Sequence, residues 1–110
     1  MDKLVLVLTN VPDSAIAEAI TRELVGTGLA ACVNQLSGVR SVYRWEGAIE
    51  EANEVMLLIK SESCRYAEIE ETILRLHPYQ VPEILVFSAA GGLPAYLKWV
   101  AGETKRPGHD

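Results

Sequence analysis

The sequence of 110 residues is 49% hydrophobic and 23% charged, which is typical of one compact globular domain and excludes a disordered or membrane-embedded chain. Ten Lys and Arg residues against fifteen Asp and Glu residues give a formal net charge of -5. Nucleic-acid binding and basic membrane anchoring both need an excess of positive charge, so neither is expected. Metal cations and cationic partners fit this charge balance.

The expected compartment is the cytoplasm. Two cysteines are too few for a disulfide framework. The apolar run over residues 4–8 is far shorter than the roughly 20 residues that cross a bilayer, and no secretory leader pattern precedes it. We predict a single domain over residues 1–110, with a polar, mobile tail after about residue 102.

The chain begins with a predicted strand and helix. Residues 3–9 form an apolar, β-branched run that is too short for a good helix, so we predict a strand with apolar side chains on both faces. A turn cluster follows, in which Asp13 or Ser14 is expected to cap a helix. Apolar residues recur at four-residue spacing in this helix, which is expected to end near Gly26.

A long hairpin is predicted next. Its first arm runs from about residue 30 to 45, with a kink near Ser37 and Gly38. Glu46 and Gly47 are a hairpin turn signal, and the return arm is predicted over residues 48–60.

The last part of the chain predicts a helix, a strand and a short helix. Ser61 or Ser63 is expected to open the second helix, and the His77–Pro78 pair ends it. Residues 81–88 predict a strand, and residues 93–100 predict a short C-terminal helix that starts near a proline.

This element order predicts an α+β, ferredoxin-like βαββαβ sandwich with a long hairpin and a short C-terminal helix. Two features do not suit a monomer. The runs 4–8, 55–59 and 84–87 are apolar at every position, although helices can cover only one face of the sheet. The hairpin arms reach about 45 Å, beyond the roughly 35 Å diameter of such a globule. We therefore expect a homo-oligomer.

The segment 77–83, which reads His-Pro-Tyr-Gln-Val-Pro-Glu, is the most informative motif. Its two prolines fix an irregular loop that holds His77 and Glu83 near each other. An imidazole and a carboxylate suit Cu(II), Ni(II) or Zn(II), with a third donor from elsewhere or from water. The alternative is that His77 only stabilises the helix end and that Glu83 is a surface carboxylate.

Aromatic residues concentrate near the hairpin tip, the proline loop and the C-terminal helix: Tyr43, Trp45, Tyr79, Tyr96 and Trp99. They are candidates for the walls of a ligand cleft, with Lys60 and Arg44 as polar fixtures. The alternative is that they anchor an oligomer interface, and both hold if clefts lie between subunits.

Two other polar groups are candidates for chemistry. The hairpin carboxylates are expected to form a solvated edge that discourages aggregation, and the alternative is that they bind cations loosely: Glu46, Glu50, Glu51 and Glu54. Asp13, Ser14 and His77 show no triad spacing, so we do not expect an enzyme.

Several motifs occur together in one order: Ala31-Cys-Val-Asn34, Tyr43-x-Trp45-x-Gly47-x-Ile49, Glu54 before an apolar run that ends at Ile59-Lys60, His77-Pro-Tyr-Gln-Val-Pro-Glu83, and Tyr96-Leu-x-Trp99. In these motifs the chain resembles the CutA family of divalent-cation-tolerance proteins, over residues 3 to about 101. The resemblance implies a ferredoxin-like subunit in a tight homotrimer, with an architecture similar to PII-type signalling proteins.

The resemblance also implies copper or another divalent cation as ligand and no organic cofactor. Carried over by position, the metal ligands are His77 and Glu83. A cysteine that some bacterial members place at the end of the first strand is Thr9 here. Without that soft thiolate, the implied site is a harder nitrogen and oxygen site for Cu(II) or Zn(II).

Three function hypotheses follow. The first is a non-catalytic, trimeric metal-binding protein of the metal-ion response, with its site in an inter-subunit cleft. The second is a PII-like signalling module that binds a small anionic or nucleotide ligand through Tyr43, Trp45, Lys60, Tyr79 and Trp99. The third is a trimeric scaffold whose C-terminal tail binds a protein partner that the sequence does not identify.

Overall fold

The structure, a computed structural model, describes residues 3–105. In chain order these residues form β1 Leu4–Val11, α1 Ser14–Gly26, β2 Cys32–Trp45, β3 Ala48–Glu62, a 3-10 turn Ser63–Arg65, α2 Tyr66–Leu76, β4 Ile84–Ser88 and α3 Pro94–Glu103. The four strands pair antiparallel in the order β2-β3-β1-β4. This is the predicted α+β, ferredoxin-like arrangement, which is confirmed. None of the helices in this part of the chain is long and apolar enough to cross a bilayer.

The core lies between one face of the sheet and the helices α1 and α2. Along β1, every second side chain points into it, because successive strand residues face opposite sides. The apolar residues of α1 and α2 recur at helical spacing and meet this face. The largest fully buried apolar side chains of the core are Val7, Val11, Ile20, Leu24, Leu57, Ile59, Ile69 and Ile73.

The other side of the sheet, which we call the open face, is also apolar. On β1 it carries Leu4, Leu6 and Leu8, which are half-buried in the single chain. Its neighbours on β4 are Leu85 and Phe87, of which 47% and 49% are exposed. The predicted double-sided apolar pattern is therefore present, and the described residues cover only one side of it fully.

The hairpin of β2 and β3 extends far beyond the core, and the protein measures 48 Å along its longest axis. Its turn is made by Glu46 and Gly47 with φ of 48° and 82°, as a two-residue turn between twisted strands requires. The predicted kink is a β-bulge between Leu36 and Val39, where Gly38 has a φ of 77°.

Several boundaries differ from the prediction. β1 continues through Val11 because it pairs with β3 over its whole length. The last strand begins at Ile84 rather than at residue 81, since Pro82 has no N–H for a sheet ladder. Neither predicted serine caps α2, because Ser61 lies inside β3 and Ser63 begins the 3-10 turn.

The C-terminal helix α3 is longer than predicted and is anchored by a buried arginine. It extends to Glu103, beyond the residue near which the tail was expected to begin, and Thr104 is buried. Arg65 is 4% exposed and donates from Nη1 to the carbonyl oxygen of Thr104 at 3.1 Å. Residues 106–110, the rest of the predicted tail, lie outside the described residues.

The arrangement of α2 predicts a sharp contrast between two adjacent residues. Ile73 is fully buried in the core, whereas Leu74 is 53% exposed. Replacing Ile73→Ala leaves a cavity and is expected to lower the free energy of unfolding by about 2–5 kcal/mol. Leu74→Ala is the matched control and should change it by less than about 1 kcal/mol. Equal losses in denaturant titrations would contradict the burial assigned to this helix.

Candidate functional site

A cleft of about 570 Å³ lies between the hairpin and the loop that joins α2 to β4. The strands contribute Asn10, Ser41, Val42, Tyr43, Trp45 and Glu54 to its lining, and the loop contributes Tyr79, Gln80, Val81 and Glu83. None of these described lining residues is Lys or Arg, so the side-chain charge at the cleft is negative.

The bulge in β2 brings the aromatic residues of the hairpin to this side of the sheet. Before it, Leu36 lies opposite Met56, and after it Val39 lies opposite Glu54. Between these pairs the chain therefore advances three residues along β2 but only two along β3. Every later residue of β2 consequently faces the opposite side of the sheet from the one it would face without the bulge. As a result, Tyr43 and Trp45 share the face of Glu54 and line the cleft.

Asn10 connects the two predicted metal ligands. The Nε2 atom of His77 lies 2.7 Å from the backbone oxygen of Asn10, and Nδ2 of Asn10 donates to Oε1 of Glu83 at 3.1 Å. The backbone N–H of Tyr79 donates to Nδ1 of His77 at 3.2 Å. Because a carbonyl oxygen only accepts, these partners assign the ring proton to Nε2 and leave Nδ1 as an acceptor.

A second hydrogen-bonded pair, Tyr79 and Glu54, also lines the cleft. The Tyr79 hydroxyl donates to Oε2 of Glu54 at 2.9 Å. Desolvation by burial, followed by this hydrogen bond and the charge of Glu54, raises the pKa of Tyr79 to about 12. Glu54 itself is only 8% exposed, so the prediction that it belongs to a solvated edge is wrong, although Glu50 and Glu51 are exposed as expected.

The two predicted ligands do not form a complete metal site in one chain. His77 is 7% exposed, and both of its ring nitrogens already have partners. Glu83 is exposed at the cleft and uses one oxygen for Asn10. Within residues 3–105, no three His, Cys, Asp or Glu side chains group in a way that could hold a metal ion. Residues 3–105 of one chain therefore supply at most an open, weak site.

The predicted cleft residues separate into two sets. Tyr43, Trp45 and Tyr79 line the cleft together. Lys60 does not, because it lies opposite Cys32, about 20 Å along β3 from Glu54. Trp99 is also elsewhere, on α3, where its ring packs 5.7 Å from that of Tyr96.

Sequence reasoning missed Asn10 as a site residue and gave Glu54 the wrong environment. The predicted strand ends at residue 9 and leaves Asn10 in the turn cluster that follows. Its spacing from Leu6 and Leu8, with which it is in phase, is the signal that points it to the open face. Glu54 is likewise in phase with Met56 and Leu58 along β3, and this spacing indicates that Glu54 points to the open face.

Comparison with known proteins identifies the family. The model of the family described as CutA1 divalent ion tolerance protein matches residues 5–103. The chain belongs to this family. A divalent-cation tolerance protein CutA of Thermus thermophilus is 40% identical over 99 residues, which are 90% of this chain and 96% of that protein. A CutA protein of Pectobacterium atrosepticum is 42% identical over 96 residues, 87% of each chain.

Solved structures of the family share the fold. The crystal structure of CutA from Xylella fastidiosa superposes with a TM-score of 0.91 at 41% identity, covering 94% of this chain and 99% of that one. The CutA1 structure from Thermus thermophilus gives 0.89 at 39% identity, covering 96% and 100%. The resemblance seen in the sequence motifs is thereby confirmed, and with it a relation to divalent-cation tolerance.

The Tyr79–Glu54 pair predicts a titration shift. Glu54→Gln removes the charge but keeps an acceptor, so the pKa of Tyr79 should fall from about 12 toward its ordinary value while the effect of burial remains. Glu70→Gln is the control, because it should act in the same way on Tyr66 and leave Tyr79 unchanged. NMR of ring-labelled tyrosine through an alkaline titration measures both.

The same shift fixes the sign of a stability effect. The pKa of Tyr79 is higher in the folded chain than its ordinary value of 10.0. This tyrosine therefore stabilises the fold below about pH 10, and the contribution is lost as the pH rises through about 12. The free energy of unfolding of the wild type and of Tyr79→Phe is compared as the pH is raised. If it decreases in the same way in both proteins, the assignment is contradicted.

Proposed function

We propose that this protein acts without catalysis in the cytoplasm, as a homotrimer that binds Cu(II) or another divalent cation at His77 and Glu83. The observation that carries this proposal is that Asn10 contacts both residues, with bonds of 2.7 Å and 3.1 Å. The family relation to divalent-cation tolerance supports the class of ligand. Both cysteines are half-buried thiols, which agrees with a reducing compartment.

The open face supports self-association. Its apolar side chains include Phe87 and Leu85, about half of whose surface is exposed in one chain. Both outer strands of the sheet, β2 and β4, have a free edge within the described residues. Copies related by a closed rotation cover such faces and edges together, because each copy offers the same surfaces.

An assembly of this kind would also complete the metal site. Glu54, Tyr43 and Asn10 point to the open face, so the cleft adjoins the surface that a neighbouring copy would cover. A third donor then comes from that copy or from water. To bind metal, His77 must exchange one hydrogen bond, and the longer bond, at 3.2 Å to Nδ1, is the weaker one.

The rival hypothesis of a PII-like module with an anionic ligand stays a prediction and ranks second. It requires a cation at the cleft, and Lys60 lies about 20 Å away along β3. The carboxylates of Glu54 and Glu83 repel an anion and attract a metal ion.

Sedimentation equilibrium tests the assembly. The expected mass is three times that of one chain. Phe87→Glu places a charge on the open face and should shift the mass toward that of one chain. Val25→Glu is the matched control, because Val25 is similarly exposed, at 44%, but lies on α1 across the sheet. A wild-type protein that sediments as a single chain would overturn the trimer.

Calorimetric titration of tag-free protein with Cu(II) and with Zn(II) tests the site. His77→Gln removes the imidazole but keeps a donor and an acceptor, and should weaken binding by about tenfold or more. The control is His109→Gln, which changes the other histidine of the chain. Identical isotherms for wild type and His77→Gln would remove His77 from the site, whatever the result for the assembly.

A further inference from the structure

The cleft is built for a larger ligand than a metal ion. Its volume of about 570 Å³ lies within the range of small-molecule pockets, about 300–1,000 Å³. Three aromatic side chains, Tyr43, Trp45 and Tyr79, line it beside the two carboxylates. We infer that it binds an organic cation, with an ammonium or guanidinium group that meets Glu54 and Glu83 and an aliphatic part that lies against the rings.

The hydrogen bonds of the two carboxylates leave acceptors for such a group. Oε2 of Glu54 accepts from the Tyr79 hydroxyl, and Oε1 of Glu83 accepts from Asn10. Each bond occupies one oxygen and fixes the side chain, so the second oxygen of each carboxylate is positioned in advance. Ammonium and guanidinium groups donate only and bond most strongly to carboxylates.

Asn10 provides an independent observation. It lines the cleft and is 8% exposed. Its Nδ2 atom is used by Glu83, while Oδ1 is buried and accepts no hydrogen bond from any residue in 3–105. Buried acceptors are nearly always paired in folded proteins. Among the described residues, Asn10 therefore keeps one unpartnered acceptor next to the cleft, beneath its accessible surface.

The aromatic lining decides between classes of cation. A hydrated metal ion gains little from aromatic rings, whereas organic cations are attracted to ring faces and bury apolar carbon against them. Tyr43, Trp45 and Tyr79 are each between 37% and 44% exposed in one chain, so the fold of that chain leaves part of each ring uncovered at the cleft. A guanidinium plane suits this lining best because it both stacks on rings and donates to two carboxylates.

The inference goes beyond the proposed function and does not depend on metal binding. The organic cation uses Glu54 and the aromatic residues, and the metal uses His77. Glu83 takes part in both kinds of binding, so a substitution of Glu83 does not distinguish metal binding from binding of the organic cation.

The experiment titrates the wild-type protein with n-butylguanidinium and with n-butylurea at constant ionic strength. The two probes have the same shape, and only the first carries a charge. Binding is followed by the NMR signal of the Trp45 indole N–H. We expect n-butylguanidinium to shift this signal with a Kd about tenfold or more below that of n-butylurea.

Variants locate the charge that recognises the probe. Glu54→Gln can still accept from Tyr79 and should raise the Kd of n-butylguanidinium about tenfold. Glu51→Gln is the matched control, since it makes the same charge change on the same strand but on the opposite face, and should leave the Kd unchanged.

Equal affinity for the two probes, or an unchanged Kd in Glu54→Gln, would overturn the inference. The outcome is separable from that of the metal site. Glu54→Gln retains the His77, Asn10 and Glu83 contacts and removes only a nearby charge, so it should weaken Cu(II) binding far less than His77→Gln does. Loss of metal binding in His77→Gln, with the butylguanidinium Kd unchanged, supports two distinct modes of binding.

Discussion

Apolar side chains on both faces of one sheet are the constraint on which the rest of the structure depends. The helices α1 and α2 pack on one face of the sheet and cover it. On the other face, Leu4, Leu6 and Leu8 remain half-buried, and Leu85 and Phe87 remain about half exposed. A large apolar surface in contact with water is unfavourable. The proposed association of copies is the simplest arrangement that removes it, and it places the cleft at a boundary between subunits.

The shape of the cleft depends on Asn10, a residue of β1 that is not itself one of the predicted metal ligands. Asn10 presents its backbone oxygen to His77 and its side chain to Glu83. Two residues that are six positions apart in an irregular loop are thereby fixed against the end of β1. The two prolines limit the shapes of the loop, and Asn10 selects the one that is observed. The site is thus a contact between loop and sheet rather than a property of the loop motif alone.

Most of the fold could be predicted because local signals agreed with the final packing. The Glu46–Gly47 turn, the cap at Asp13 and the end of α2 before Pro78 each depend on a few adjacent residues. The site was harder to predict, since the position of Lys60 and the burial of Glu54 depend on strand register. The segment 77–83 drew attention to a loop that lines the cleft, but its sequence could not show that both nitrogens of His77 have partners.

The bulge at Gly38 makes the length of β2 as important as its composition. A substitution elsewhere in the hairpin changes one side chain, whereas loss of a single residue between Leu36 and Val39 would restore regular pairing. Every side chain from there to the tip would then move to the opposite surface. Tyr43 and Trp45 would leave the cleft without either being altered. In alignments of such chains, a one-residue gap at this point therefore signals a rearranged binding surface, however similar the flanking letters are.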